Sequence, residues 1–227
     1  MNDSFTSLTL FHYKGFNNRW WALTQMKLAQ KALSNLPGLQ FFKLLGSGAG
    51  NGFEPWPNWG VYAFLGQWQN MQSAKDALGN SDIFTQFGNK SFKQKTFILK
   101  PTSGHGNWGG KMPFQEFHPE IEIGPIAVLT RARIKWNWLI PFWIKVPQVS
   151  KMMGQSNEMT HGIGIGELPL IEQATFSVWK NKDALNAYAY SAGKHREAVQ
   201  KTRKVKWYSE EMFVRFNLVA EIEGLIL

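Results

Sequence analysis

The chain has 227 residues, 44% of them hydrophobic and 15% aromatic, including 11 Trp, so it is large enough to bury a substantial core. It contains no Cys, which excludes disulfides, thiolate metal sites and a cysteine nucleophile. The net charge of +9 favours an anionic partner, a membrane surface or an acidic redox protein.

The first hundred residues predict the order strand, helix, strand, strand, helix, strand. Short runs of alternating or continuous apolar residues indicate the strands, and apolar residues at three- and four-residue spacing indicate the helices. Pro37 ends the first helix. The predicted strands are 8–14, 41–45, 60–68 and 95–99. The predicted helices are 20–36 and 71–87.

The second half repeats the pattern. Trp179 ends a predicted strand as Trp68 does in the first half, and the Gly-rich run 162–166 stands where Gly46 and Gly48 stand. The predicted strands are 126–134, 162–166, 173–179 and 212–218. The predicted helices are 137–153, 184–190 and 194–206.

This order is that of the ferredoxin-like split unit. We therefore predict an α+β fold built from two tandem ferredoxin-like repeats. The first repeat spans 1–100, the Pro- and Gly-rich segment 101–125 is a linker, and the second repeat spans 126–227. The two repeats are expected to pack as one structural domain.

The glycine-rich segments do not match a nucleotide-binding motif. After Gly46 and Gly48 the third glycine of a dinucleotide fingerprint is replaced by Asn51, and no helix is predicted to follow. The run 162–166 fails the same test, because Pro169 stands at the required position. We expect these glycines to allow two backbones, or a backbone and a flat ligand, to approach closely.

Other functional classes find little support. The chain has no H-E-x-x-H or G-x-S-x-G motif, and the basic run 194–206 lacks interleaved aromatic residues, so neither hydrolysis nor nucleic-acid binding is expected. No signal-peptide pattern is present, and the longest apolar stretch, 136–146, is too short to span a bilayer. We expect a cytoplasmic protein, with peripheral contact at the inner face of the cytoplasmic membrane.

Five histidines are the candidates for iron or acid-base chemistry. His105 and His118 lie in the predicted linker, where a surface role is the simplest interpretation. His12 lies in a strand, and His161 precedes the Gly-rich strand, where a pocket position is open to it. His195 begins a basic helix, so its imidazole could ligate haem iron while neighbouring cations meet the propionates.

Long motifs along nearly the whole chain resemble the spheroidene monooxygenase family of carotenoid ketolases. The motifs are 21–29 (WALTQMKLA), 37–48 (PGLQFFKLLGSG), 52–58 (GFEPWPN), 127–132 (AVLTRA), 142–147 (FWIKVP), 162–170 (GIGIGELPL), 173–179 (QATFSVW), 194–198 (KHREA) and 207–211 (WYSEE).

The resemblance implies a dimeric α/β barrel that binds haem b and uses O₂ to hydroxylate an acyclic carotenoid at C-2 and oxidise it to a ketone. Electrons would come from ferredoxin and a ferredoxin reductase. A proximal histidine on a helix of the second half is usual in such barrels, which points to His195 as the metal ligand, with His161 and His12 as alternatives. With no Cys, the iron must be held by His, Tyr or Met.

These expectations assign roles to three sets of residues. The predicted cofactor-binding residues are His195, Arg196, Lys194, Gly46, Gly48 and Gly164. The predicted catalytic residues, as donors on the distal side of the haem, are Arg19, Arg131, Ser47 and Gln173. The predicted substrate-binding residues, which line an apolar tunnel, are Trp20, Trp21, Phe53, Trp56, Trp59, Trp138 and Trp143.

Two alternatives remain at this point. One is a haem enzyme of the same barrel class with aldoxime dehydratase-like or peroxidase-like chemistry, since a fold does not determine a function. The other is a haem or carotenoid carrier without enzymatic activity. In either case the chain can form a homo-oligomer, and nucleic acid is not an expected partner.

Overall fold

Eight antiparallel strands close into a barrel, with helices packed on its outside. The computed structural model describes residues 4–49, 54, 56–121, 124–144, 157–191 and 207–225. The strands are β1 (Phe5–His12), β2 (Leu39–Gly48), β3 (Pro57–Trp68), β4 (Lys93–Gly106), β5 (Ile126–Ile134), β6 (Met159–Leu168), β7 (Glu172–Trp179) and β8 (Tyr208–Glu223). The helices are α1 (Phe16–Leu28), α2 (Gln30–Ser34), α3 (Met71–Asn80), α4 (Asp82–Lys90) and α5 (Lys182–Ser191).

The strands follow one another around the barrel in the order β1, β3, β2, β6, β7, β5, β8, β4. Strands β1–β4 make up one half and β5–β8 the other, and the halves meet at two seams, β2 with β6 and β4 with β8. Within each half the strands stand in the same order, fourth, first, third, second. The predicted closed α+β barrel is therefore confirmed.

Side chains fill the interior of the barrel. Along each strand, alternate residues point inward, as the two-residue period of a β-strand requires. The interior cluster draws on both halves, and its largest members, each almost fully buried, include Phe97, Phe114, Phe176 and Phe216. In the described residues, the barrel axis is therefore occupied by packed side chains.

A second cluster covers the outer face of the first half. Helices α1 to α4 pack there on large outward-pointing side chains, among them Phe11, Phe64 and Trp68. The corresponding cluster on the second half is much smaller in the described part of the chain, with Ile126, Val128, Trp179 and Leu185 as its buried members.

The helix predicted at 71–87 is two helices. Asn70 caps α3 by accepting a hydrogen bond from the Ser73 amide at 2.8 Å. Ser81 then has an extended backbone, and a new helix begins at Asp82. Gly79, Asn80 and Ser81 have low helix propensity in succession, which explains the break. The helix predicted at 20–36 is likewise divided at Ala29 into α1 and α2.

Other boundaries differ where strands meet at a seam. β4 continues to Gly106, into the segment predicted as a linker, because it pairs with β8 as far as Met212. β5 has the predicted bounds, and β3 and β7 end at Trp68 and Trp179 as predicted. The Trp-rich helix expected from Asn137 begins as a 3₁₀ turn, and residues 139–144 are helical. The basic helix predicted at 194–206 lies outside the described residues.

Candidate active-site cleft

An apolar cleft lies on the outer side of the β2–β6 seam, between α1 and the helical residues 139–144. Its volume is about 180 Å³. The described residues that line it are Leu23, Met26, Gly46, Ser47, Gly48, Glu54, Trp56, Pro57, Asn58, Trp59, Tyr62, Trp143, Ile165, Gly166, Glu167, Pro169, Leu170 and Gln173. Seven of the predicted site residues are thus brought together: Gly46, Gly48, Ser47, Gln173, Trp56, Trp59 and Trp143.

Glycines form the floor of this cleft because two strands meet there. Gly46 of β2 pairs with Gly166 of β6. A methyl group at Gly166 would overlap the carbonyl oxygen of Glu172, whereas one at Gly46 would be 4.0 Å from its nearest neighbour, the Gly166 carbonyl oxygen. Ser47 donates to the Val61 carbonyl at 3.2 Å. The close approach of two backbones is therefore found between β6 and β7 at Gly166, and not across the β2–β6 seam.

Three tryptophans form the sides of the cleft. Trp56 and Trp59 are largely exposed. Trp56 directly precedes β3, and Trp59 is the third residue of β3. Trp143 lies opposite in the helical segment, and its indole nitrogen donates to the Leu170 carbonyl at 3.0 Å. These amphipathic rings combine a large apolar surface with one polar group, a combination suited to a long apolar ligand.

The outer faces of the two halves differ sharply in side-chain volume. The strand registers align Trp68 with Trp179, and from there each outward position of β2 and β3 has a counterpart on β6 and β7. The pairs, first half and then second, are Phe42 and Gly162, Leu44 and Gly164, Tyr62 and Gln173, Phe64 and Thr175, and, on β1 and β5, Phe11 and Ala132. At these positions the second half therefore has a flat outer face of small side chains, while Trp179, Val128 and Ile126 cover the other part of its outer side.

An arginine on this flat face has a buried polar atom in need of a partner. Arg215 lies on β8 with its guanidinium 5.7 Å from the Phe213 ring centroid. Its Nε is buried and has no hydrogen-bond partner in the described part of the chain. Because an unsatisfied buried donor is costly, this position suits an anionic group of a bound ligand. The sequence analysis did not single out Arg215, since a lone arginine within a strand carries no motif.

Six of the predicted site residues lie outside the lining of the cleft. Trp20 is exposed and stacks on Phe16, with ring centroids 6.4 Å apart. Arg19 is exposed, and its Nε donates to the Tyr13 carbonyl at 3.4 Å. Trp21 packs against Tyr13 and Phe87 beneath α1, with ring centroids 6.2 and 5.7 Å apart.

Trp138 stacks on Trp207 with ring centroids 5.8 Å apart. Gly164 belongs to the flat outer face, beyond the described lining of the cleft. His195, Arg196, Lys194 and Phe53 lie outside the described residues.

Arg131, predicted as a distal donor, is a member of an ion cluster at one end of the barrel interior. Its guanidinium pairs with Glu210, and lies 3.5 Å from Glu172 and 3.7 Å from Glu167. Burial acts against ionisation of Glu210, but hydrogen bonds from the Gly110 and Gly109 amides and from Arg131 outweigh it and lower the pKa of Glu210. Arg131 thus neutralises carboxylates and does not line the cleft.

His161 and His12 lie at the other end of the interior. The His161 ring is 4.9 Å from the Phe97 centroid and 6.4 Å from that of Phe176, both interior residues. Burial, followed by the charge of Lys95, lowers the pKa of His161, and burial followed by Lys93 lowers that of His12. Neither imidazole reaches the outer face. Within the described residues, no group of three or more His, Asp or Glu side chains could hold a metal ion.

Several lining residues were missed by the sequence analysis. Leu23 and Met26 of α1, and Pro169 and Leu170 after β6, border the cleft. α1 has apolar residues on both its buried and its exposed sides, which is unusual for a surface helix, and this pattern could have signalled a ligand-facing role. In the described segments no helix is long and apolar enough to cross a membrane.

The closed barrel with outer helices is similar in fold to two solved aldoxime dehydratase structures. The crystal structure of an aldoxime dehydratase in complex with butyraldoxime covers 98% of this chain and 83% of its own, with a TM-score of 0.67 and 9% identity. A second aldoxime dehydratase structure covers 95% and 81%, with a TM-score of 0.63 and 9% identity. At such identity the likeness concerns the fold alone.

The chain belongs to the spheroidene monooxygenase family. It is 36% identical to the spheroidene monooxygenase of Cereibacter sphaeroides over 95% of this chain and 67% of that protein. Identity to the Rhodobacter capsulatus enzyme is also 36%, over 94% and 89%. The Rubrivivax gelatinosus enzyme is 31% identical over 83% and 72%. No protein-family model matches the chain.

Proposed function

We propose that this protein is a haem-dependent monooxygenase that hydroxylates a carotenoid at C-2 and oxidises it to a ketone, using O₂ and electrons from ferredoxin. The observation that carries the proposal is the flat outer face of the second half, where small residues replace the rings of the first half and adjoin the apolar cleft. Membership of the spheroidene monooxygenase family supports a carotenoid as the substrate.

The strand order also bears on the fold. We interpret each half as a ferredoxin-like unit, because both have the order fourth, first, third, second and antiparallel pairing throughout. On this interpretation the first unit keeps its outer face for helix packing. The second unit has given up the equivalent side chains to make room for a ligand.

Haem b is the group we place on that face. A planar macrocycle needs a flat apolar surface, which Gly162, Gly164, Thr175 and Ala132 provide. Arg215 would hold a propionate through its otherwise unpartnered Nε, together with Arg196 and Lys194. His195 is the residue we propose would bind the haem iron, since His161 and His12 lie in the barrel interior. When bound, haem would supply the redox chemistry that activates O₂.

The cleft would receive one end of the carotenoid. Its 180 Å³ is below the roughly 300–1,000 Å³ of pockets that enclose a whole drug-sized ligand, so the described part can hold only a terminal segment of a long polyene. Trp56, Trp59 and Trp143 would exclude water from that segment. Burial of its apolar surface would contribute about 25 cal/mol per Å².

Gln173 and Ser47 are the predicted polar residues that border the cleft. Gln173 is held by a hydrogen bond from its amide nitrogen to the Leu168 carbonyl at 3.3 Å, and Ser47 by its bond to the Val61 carbonyl. We propose that these two groups position the polar end of a hydroxylated carotenoid for its further oxidation. Arg19 and Arg131 are not part of this arrangement.

The electron donor would bind through charge. The chain has 25 Lys and Arg against 16 Asp and Glu, which complements an acidic ferredoxin and would accelerate its association at low ionic strength. A ferredoxin reductase would complete the supply of electrons.

The test begins with the absorption spectrum of the full chain purified from cells supplied with haem. We expect a Soret band that His195→Ala abolishes or shifts, while His161→Ala and His105→Ala leave it unchanged. Gly164→Leu, which installs the residue found at the equivalent position of the first half, should reduce haem retention without unfolding the barrel. The absence of a Soret band from the parent protein would refute the haem assignment.

Turnover then separates the remaining functions. With ferredoxin, ferredoxin reductase, NADPH and O₂, an acyclic carotenoid should gain oxygen at C-2, as read by mass spectrometry. A haem-loaded protein that binds the carotenoid without converting it would be a carrier. Dehydration of an aldoxime in the absence of O₂ would instead support the chemistry named for the structurally similar dehydratases.

A further inference from the structure

Exposed apolar side chains are concentrated around the mouth of the cleft. Twelve large hydrophobic residues are exposed in the part of the chain that the structure describes, and ten of them belong to four segments that border the cleft. These segments are α1, residues 56–59, residues 136–144 and residues 168–170, and we call their exposed apolar side chains the cleft rim. The other two, Phe92 and Val219, lie elsewhere. Scattered exposed apolar residues are normal, but such a concentration marks an interaction surface.

The segment 136–144 shows the pattern most clearly. Trp136, Ile140 and Ile144 follow one another at four-residue spacing and are 77%, 77% and 71% exposed. The opposite side of the segment is apolar as well, since Trp138 and Phe142 pack against Trp207. A surface helix normally turns a polar face to water. Here the outward face is apolar, so its natural environment is not water alone.

The two long rim segments contain no acidic residue. α1 carries Arg19 and Lys27, and residues 136–144 are uncharged but lie between Lys135 and Lys145 in the sequence, whereas the cleft lining itself includes Glu54 and Glu167. Arg19, Lys27 and Lys31 are exposed beside the apolar residues of α1. Tryptophan and aliphatic side chains flanked by Lys and Arg are the composition of surfaces that lie in the headgroup region of an anionic bilayer.

We propose that the cleft rim inserts into the surface of a bilayer containing anionic lipid, so that the cleft opens directly to the hydrocarbon region. Trp136, Ile140 and Trp56 enter the acyl boundary, and Lys27 and Lys31 contact the phosphates. The purpose of this docking rests on the proposed function, because a carotenoid dissolved in the membrane would then enter the cleft without crossing water. The physical association with lipid does not depend on haem or turnover.

Vesicle flotation with the full-length protein tests the docking. Vesicles of phosphatidylcholine alone are compared with vesicles of phosphatidylcholine and phosphatidylglycerol in equal amounts. The double variant Trp136→Ser, Ile140→Ser should lower the affinity for the mixed vesicles by at least about tenfold. The matched control Phe92→Ser, Val219→Ser removes two exposed apolar residues away from the rim and should stay within about twofold of the parent protein.

A charge variant tests the electrostatic part. Lys27→Gln, Lys31→Gln should weaken binding to the mixed vesicles by about fivefold per charge and leave the weaker binding to phosphatidylcholine unchanged. Equal binding of parent and rim variant, or an equal loss in the Phe92 and Val219 control, would overturn the proposal. The proposal would also be overturned if the double variant Trp136→Ser, Ile140→Ser bound vesicles like the parent protein but differed from it in oligomeric state, as measured by light scattering. The rim would then be a contact between copies of this chain.

Turnover distinguishes this inference from the proposed function. If both hold, the rim variant converts carotenoid dissolved in detergent micelles at the parent rate but loses activity on carotenoid embedded in vesicles. If the parent protein converts carotenoid in neither form, the proposed function fails, and the flotation result still decides the docking.

Discussion

At the scale of single residues, the most consequential polar group is Arg131. It occupies the position on β5 that Leu10 occupies on β1, so one end of the interior is charged where its counterpart is apolar. Its guanidinium also lies 5.4 Å from the Trp108 ring centroid, and Trp108 in turn donates to Glu167 at 2.5 Å. A buried cation surrounded by carboxylates stabilises the fold only while every member is present.

Replacing Arg131 should therefore destabilise the protein strongly. Arg131→Ala removes the buried cation shared by the partly buried carboxylates of Glu210 and Glu172, which keep Arg133 and the Gly109 and Gly110 amides as partners, and we expect the free energy of unfolding to fall by about 1–3 kcal/mol. The exposed pair of Lys180 and Glu158, 3.2 Å apart, provides the control, because Lys180→Ala should cost less than about 1 kcal/mol. Urea denaturation measures both, and equal effects would contradict the buried role of Arg131.

His161 should make stability depend on pH. Its pKa in the folded protein is lowered from 6.5, so the unfolded chain takes up a proton at a higher pH than the native state does. The free energy of unfolding should consequently decrease as the pH falls below 6.5. Lys95 disfavours the imidazolium, as does His12, while Glu221 and Glu223 favour it.

The variant His161→Phe tests this dependence. Phenylalanine is the residue at the equivalent position on β2, Phe41, and it cannot titrate. Its urea unfolding curves should show a smaller loss of stability between neutral and mildly acidic pH than those of the parent protein, with the remaining slope due in part to His12. An unchanged slope would show that His161 does not titrate within this range.

At the scale of elements, the packing of β6 against β7 depends on Gly166, whereas its partner across the β2–β6 seam, Gly46, is not crowded. Gly166→Ala forces a methyl group onto the Glu172 carbonyl and should destabilise the protein by about 1–3 kcal/mol. Gly46→Ala on the opposite strand meets only an ordinary contact and should be neutral or stabilising by about 0.5 kcal/mol. Thermal melting compares the two, and the reverse order would contradict the assigned register.

At the scale of the whole molecule, the two halves share one interior and should unfold together. Phe97 and Phe176, one from each half, are in contact with ring centroids 5.0 Å apart. We expect a single cooperative transition by circular dichroism and fluorescence. Phe216→Ala in the interior should cost about 3–5 kcal/mol, whereas Phe92→Ala on the surface should change stability by less than about 0.5 kcal/mol. Two separate transitions would contradict the shared core.

The repeated order of elements, with strand ends marked by Trp68 and Trp179, predicted two similar halves, and the family resemblance implied that they close into a barrel. The two indole nitrogens donate to Ser7 and Ser177 at 2.8 and 3.0 Å. Prediction failed where partners are distant in the chain. The carboxylates around Arg131 come from three different strands, and no spacing in the sequence reveals their meeting.

The sequence predicted only part of the candidate site, because the tertiary packing that selects its residues cannot be read from the sequence. Trp56, Trp59 and Trp143 were predicted because large aromatic side chains suit the long apolar ligand that the family resemblance implies. Trp20 and Trp21 were assigned to the tunnel on the same grounds, yet one faces solvent and the other packs beneath α1. Which side of a helix faces the cleft is determined by tertiary packing, and α1 is apolar on more than one side.

The two seams of the barrel differ in length, and the shorter seam should open more readily. β4 and β8 are paired from Lys95 to Gly106, whereas the described pairing of β2 with β6 is confined to Gly46 and Ser47. Transient separation of β2 from β6 breaks far fewer backbone hydrogen bonds, so amide hydrogens there should exchange with deuterium much faster than those of β4. The same fluctuation would widen the cleft. A ligand larger than the cleft volume of about 180 Å³ could then enter without disruption of the longer β4–β8 seam.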